Sequence, residues 1–154
     1  MSTMERRPDV EVARRLRSRR AVDRVDYLRV LRRLSTSMTQ TDLAQSLGMT
    51  QPSISSALKS AATVSEPREG FSGASAYEIA QRYAAGEIDR DQLVDELTRW
   101  EYVPRPQTDG YDDLLIVPDG TFEEVGRALD QGLIDGQTYD VILHASAARR
   151  RAAG

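Results

Sequence analysis

The sequence predicts a mainly α protein: an N-terminal helix-turn-helix domain followed by a small acidic helical domain of two αα-hairpins. Three observations predict it. Val22, Val25, Leu28, Leu31 and Leu34 recur at steps of three, which lays an apolar stripe on a helix. Capping residues and glycine stops then alternate through the second half: Ser75, Gly86, Asp89, Thr121 and Gly132. Charge divides at the same place. Residues 1–64 hold 12 Lys/Arg against 6 Asp/Glu, whereas residues 65–154 hold 9 against 18. The expected organisation is a basic arm with the helix-turn-helix at 1–62, a linker at 63–75, and the acidic helical domain at 76–151.

Residues 9–20 place Val10, Val12, Ala13 and Leu16 among arginines, which reads as a short basic amphipathic helix or an arm that orders on binding. Residues 22–35 form the striped helix, and 39–47 and 51–61 are two short helices around Gly48. The stretch from Thr63 to Ser75 is rich in Ser and Gly, contains a Pro, and has no periodicity, as a linker does.

In the acidic domain Ser75 caps a helix with Glu78 at the reciprocal capping-box position, and Gly86 ends it. Asp89 caps the next helix. Residues 101–110 form a loop with two prolines, and the apolar run at 114–117 is too short to classify. Thr121 and Glu124 form a second capping box, and Gly132 stops that helix. A last helix at 136–151 ends in Arg149, Arg150 and Arg151, which suits the negative end of a helix dipole. Trp100, Tyr102 and Val103 are expected to anchor the loop onto the core. A faint repeat of period 46 aligns Glu78, Ile79, Tyr83, Gly86, Ile88, Asp89 and Leu97 with Glu124, Val125, Leu129, Gly132, Ile134, Asp135 and Leu143. Duplication explains it, as does convergence of two hairpins on one stop-and-cap chemistry.

Composition narrows the chemistry. At 40% hydrophobic and 29% charged the chain falls in the globular range. With no cysteine, disulfides, iron–sulfur clusters and thiolate zinc sites are excluded. The one histidine, His144, has no supporting context for catalysis. There is no Gly-rich phosphate loop, no HExxH and no Cys/His cluster, so the expectation is a non-enzyme without cofactor or metal. No apolar run approaches the ~18–20 residues that span a bilayer, and the charged N-terminus lacks the apolar core of a signal peptide. The expected location is the cytoplasm, with no membrane partner.

The segment from Gln40 to Lys59, QTDLAQSLGMTQPSISSALK, carries the functional signal. Ala44 is small where two helices cross, and Gly48 supplies the left-handed turn. Leu43, Leu47, Met49, Ile54 and Ala57 are expected to lock the helices together. Thr50 caps the second helix, and Pro52 sits in its first turn, where no intrahelical N–H is lost. The outward face is Thr50, Gln51, Pro52, Ser53, Ser55, Ser56 and Lys59: small, polar and free of acids. Such a helix enters a major groove unobstructed, with Gln51 suited to a bidentate bond to adenine and Lys59 to a phosphate. Arg14, Arg15, Arg17, Arg19 and Arg20 precede it and are expected to track phosphates or enter a minor groove. No aromatics interleave them, which favours duplex DNA over single strands.

Residues 22–61 resemble the three-helix core of the lambda-repressor/Cro-like (XRE) family of helix-turn-helix proteins, and MTQTDLAQSLGMTQPSISSAL is similar to its most recognisable stretch. The resemblance implies sequence-specific double-stranded DNA binding and transcription regulation, most often repression. It also implies cooperation of Gln40 with Gln51, one buttressing the other against a phosphate and a base. TQPSIS resembles the recognition helix of tryptophan-repressor-like proteins. The chain departs from the first family after Lys59, where the linker replaces the usual fourth and fifth helices.

The acidic half resembles αα-hairpins of small bacterial antitoxins over Tyr83 to Leu97, YAAGEIDRDQLVDEL. An alternative to a stand-alone repressor is therefore an antitoxin whose acidic half neutralises a basic toxin and whose basic half represses their shared promoter. Expected partners are double-stranded DNA, a basic protein and a second copy of the chain.

Overall fold

The computed structural model describes residues 7–106 and 119–154. The apolar run at 114–117 and the end of the two-proline loop lie outside the described residues. Among the described residues the protein is all-helical, with seven helices and no strand. They are α1 (Arg7–Leu34), α2 (Gln40–Leu47), α3 (Gln51–Ala61), α4 (Ala76–Ala84), α5 (Arg90–Arg99), α6 (Glu123–Asp130) and α7 (Gly136–Ala153).

The two helices expected at 9–20 and 22–35 are one, α1, of 28 residues. No Gly or Pro occurs between Asp9 and Leu34 to interrupt it. Its apolar pattern explains how one helix serves two cores. Steps of three fall about 60° short of a full turn, so the stripe spirals around the rod. Val22 and Val25 share a side with the buried Ser18 and Arg29, the side packed on α4. Leu28 and Leu31, both buried, have moved round to the side that carries α3. Leu34 completes the spiral against Leu43, Ala44 and Ile54.

The expected linker at 63–75 is held on both sides. The Arg29 guanidinium donates to the Ser65 carbonyl at 3.0 and 2.8 Å. Arg32 donates to the Ala61 carbonyl at 2.9 Å and to that of Val64, closing the C-terminal end of α3, and pairs with Glu66 at 2.5 Å. Further on, Phe71 packs edge-on against Trp100 at 4.9 Å, the Arg68 guanidinium lies 4.1 Å from the Trp100 ring centre, and Ser72 hydrogen-bonds Glu96. The basic and acidic cores are thus joined by α1 and by a docked segment.

α4–α5 and α6–α7 form the two hairpins around one core of Ile79, Ala80, Leu93, Leu97, Val125, Ala128, Ile134 and Ile142. Fully burying each such Leu, Ile or Val contributes about 1.5–3 kcal/mol. The period of 46 extends to the hydrogen bonds. Glu78 accepts from the Ala74 N–H at 3.2 Å, and Glu124 from the Gly120 N–H at 2.6 Å. Gly86 and Gly132 stop their helices with φ of 85° and 75°. The Glu87 N–H reaches the Arg82 carbonyl as the Leu133 N–H reaches that of Ala128, both at 2.9 Å. Asp89 caps α5 through the Gln92 N–H and Asp135 caps α7 through the Thr138 N–H.

One capping box differs from expectation. The Ser75 hydroxyl does accept from the Glu78 N–H at 3.0 Å. Thr121, however, makes no side-chain cap: α6 begins at Glu123 after Phe122, and Glu124 accepts instead from Gly120 and from the Tyr77 N–H of α4. Trp100 is buried in the core, the Tyr102 hydroxyl donates to the Leu97 carbonyl at 2.5 Å, and Val103 keeps its side chain exposed. Among the described residues no helix is long and apolar enough to cross a membrane.

Candidate nucleic-acid interface

α2 and α3 meet at the predicted turn. The Thr39 hydroxyl accepts from the Asp42 N–H and starts α2. Gly48 ends it at φ 64°, in the left-handed region where a side chain would be strained. The Met49 N–H then returns to the Ala44 carbonyl at 2.9 Å, and Met49 closes over Leu43, Ala44 and Ile54. The Thr50 hydroxyl accepts from the Ser53 N–H at 3.2 Å and donates to the Ser53 hydroxyl, so both side chains are engaged in the cap. Leu43, Ala44 and Ile54 are buried as expected, but Leu47 is 43% exposed. It lies at the last residue of α2, beside the Gly48 turn.

Gln51, Pro52, Ser53, Ser56 and Lys59 are exposed along α3, and Ser55 is half-buried. No acidic residue lies in α3, and Lys59 is its one cation. Gln40 is exposed at the first residue of α2, and no hydrogen bond joins it to Gln51 among the described residues. α3 is backed by α1 and α2, and Arg32 fixes its far end. Its outer face is therefore a rigid, uncharged ridge with a terminal lysine.

The five N-terminal arginines are exposed but do not form one surface. At about 100° per residue they point around the whole circumference of α1. Arg14 lies on the α6–α7 corner: a Cβ on Gly132 would come within 3.2 Å of its guanidinium. Arg15 lies in the same way near Gly86 at the α4–α5 corner. Both corners are helix C-terminal ends, where a cation is favoured. Arg17 falls on the side of α1 that carries α3, and Arg24, which the sequence pattern did not single out, falls on that side too. Arg19 and Arg20 flank Leu16 on another.

An ion-pair network that sequence reasoning missed ties α1 to α4. Arg29 grips Glu78 through two bonds of 2.7 and 2.9 Å. Arg82 donates to Glu78 at 2.9 and 3.0 Å, to Asp26 at 2.7 and 3.0 Å, and to Glu87 at 2.7 Å. Burial pushes the Glu78 carboxyl up, but bonds from Arg29, the Ala74 N–H and Arg82 outweigh it and hold it below its ordinary value. Asp26 is lowered too, first by the hydrogen bond from Arg82. The local signal at Glu78 was that of a capping residue, and a partner 49 positions away leaves no local pattern.

Among the described residues, no group of His, Asp and Glu is placed to hold a metal ion. His144 is exposed, its Nδ1 2.7 Å from the Asp140 carbonyl. No protein-family model, no curated protein and no solved structure matches the chain.

Proposed function

We propose that the chain is a sequence-specific double-stranded DNA-binding transcriptional regulator, a repressor of the lambda-repressor/Cro-like kind, acting in the cytoplasm of a bacterial cell. One observation carries the reading: α3 presents an exposed, acid-free ridge just beyond a left-handed glycine turn, backed on its other sides by α1 and α2. A polyanion requires such a ridge, and the major groove has room for it. Gln51 at its leading end reads a base, Lys59 meets a phosphate, and Thr50 with Ser53 fixes the helix start. Repeated selection of bound duplexes from a random pool tests the reading. Enrichment of one motif supports it, and a pool that stays random refutes it. With the motif in hand, Gln51→Ala is expected to cost about 1–3 kcal/mol and relax one base position. Lys59→Ala is expected to weaken all sequences alike.

A second reading, the antitoxin, draws on the hairpin unit. Asp91, Glu101, Asp130 and Asp140 are each exposed there, charges suited to a basic protein. Co-expression with a basic, growth-arresting neighbour-gene product tests it: restored growth supports the reading, and continued arrest removes it.

A further inference from the structure

We propose that the outward face of α1 is a self-complementary seam on which a second copy of this chain docks antiparallel. Val12, Leu16, Arg20, Asp23, Tyr27 and Val30 follow one another at spacings of 4, 4, 3, 4 and 3 residues. Those spacings keep a single helix face in line, as in a coiled-coil seam. All six are exposed, with Val12 at 42%, Leu16 at 55%, Tyr27 at 39% and Val30 at 43%. Neither α3 nor α4 covers them, and among the described residues Arg20 and Asp23 form no ion pair. An apolar stripe about 27 Å long, broken only by one cation and one anion, is thus left exposed, with the Tyr27 hydroxyl at its edge donating to Met49 Sδ at 3.4 Å.

The order of these residues selects the occupant. Set against itself antiparallel about a point midway between Arg20 and Asp23, the stripe places Arg20 opposite Asp23 of the second copy, and Asp23 opposite its Arg20. The same register sets Leu16 against Tyr27 and brings Val12 beside Val30, at both ends. A two-fold interface must be self-complementary in this manner. A parallel pairing would set Arg20 on Arg20 and Asp23 on Asp23. An acidic or basic foreign partner would satisfy one charge of the seam and oppose the other.

The seam also orients the rest of the molecule. Leu28 and Leu31, on the side that carries α3, lie about 60–120° round from it. A two-fold axis perpendicular to the helix pair therefore brings both α3 helices to the same face of the dimer. The two Arg32 side chains that close α3 would stand about 30 Å apart along α1. On the DNA reading above, that is close to one turn of duplex, about 34 Å.

Sedimentation equilibrium of the full chain over a concentration series decides the matter. The wild type is expected to dimerise. Asp23→Arg and Arg20→Asp, each creating like charges across the seam, are expected to raise the dissociation constant at least about tenfold. The double variant Arg20→Asp/Asp23→Arg is expected to restore the dimer. Because the chain has no cysteine, Leu16→Cys/Tyr27→Cys provides a second measurement: mild oxidation should yield a covalent dimer. A monomeric wild type, dimers indifferent to either single charge reversal, a double variant that stays monomeric, or a cysteine pair that fails to cross-link would each overturn the proposal. A monomer that nevertheless selects a DNA motif would leave the functional reading standing and remove this one.

Discussion

Arg29 and Glu78, 49 residues apart, meet through two parallel hydrogen bonds of 2.7 and 2.9 Å with both side chains withdrawn from solvent. This pair connects the long helix to the first hairpin. Removing one partner of a buried pair leaves an uncompensated charge, which costs about 3–5 kcal/mol. Arg29→Ala is expected to fall in that range, read from urea unfolding followed by circular dichroism. Arg29→Met/Glu78→Leu is expected to lose less than Arg29→Met and Glu78→Leu summed, while still costing stability because Glu78 also serves Arg82 and Arg29 also serves Ser65. A double variant whose loss equals the sum of the two single losses would show that the two side chains do not act as a pair.

The same network sets an acid limit. Asp26 and Glu78 are held below their ordinary values of 3.8 and 4.5, so the folded chain binds these protons less readily than the unfolded chain. Their contribution is present in full above those ordinary values and is lost as pH falls through the lower folded ones. Unfolding free energy should therefore drop steeply below about pH 4.5. In Glu78→Gln the drop should be shallower, and parallel curves would contradict the linkage.

The short helices were legible because their ends are written locally. Thr50, Pro52 and Gly48 frame α2 and α3, and Ser75, Gly86, Asp89 and Gly132 frame the hairpins; each signal acts within four residues of itself. The continuity of α1 was not legible. Its apolar residues change partner along its length, so a window on either half sees a different face. The docking of residues 63–75 was hidden for another reason: Ser65 and Glu66 are held by Arg29 and Arg32, charged residues that a sequence pattern assigns to solvent. Thr121 was misread because Glu124 satisfies backbone groups of Gly120 and Tyr77, the latter in the other hairpin.

Glycines give a graded series. Gly86 and Gly132 occupy left-handed positions where an L-residue costs about 1–2 kcal/mol. Alanine at either is expected to lower stability by about that much. Gly126 lies within α6 with open space where a Cβ would go. Gly126→Ala should raise stability by about 0.5–1 kcal/mol. Thermal unfolding of the three variants checks the order, and a destabilised Gly126→Ala would place an unseen contact there.

The arginines of α1 should separate by role. On the proposed function, Arg17→Ala and Arg24→Ala each lower the slope of log affinity against log salt by about 0.9, the loss of one phosphate contact. Arg14→Ala and Arg15→Ala, whose side chains lie at the hairpin corners, should leave the slope unchanged. Salt titrations on one duplex distinguish the sets, and slopes left unchanged by Arg17→Ala and Arg24→Ala would mean that side of α1 does not face the backbone.

A fragment of residues 63–154 lacks α1 and thereby the partner of Glu78 and the cover of α4. It is expected to unfold at lower urea than the full chain, with a less cooperative transition. A fragment as stable as the whole would make the hairpin pair independent of the long helix.

The spiral of α1 bears on how such a chain can be recombined. A crossover at residue 62 separates the helices on either side of it but leaves α1, which both halves require, with only one of them. The piece that exchanges cleanly runs from the end of α1 to the end of α3, touching the rest through Tyr27, Leu28, Leu31, Leu34 and the Arg32 clasp. A lineage or a designer could replace that cassette and keep everything else, provided the new α3 ends where Arg32 can reach its last carbonyls.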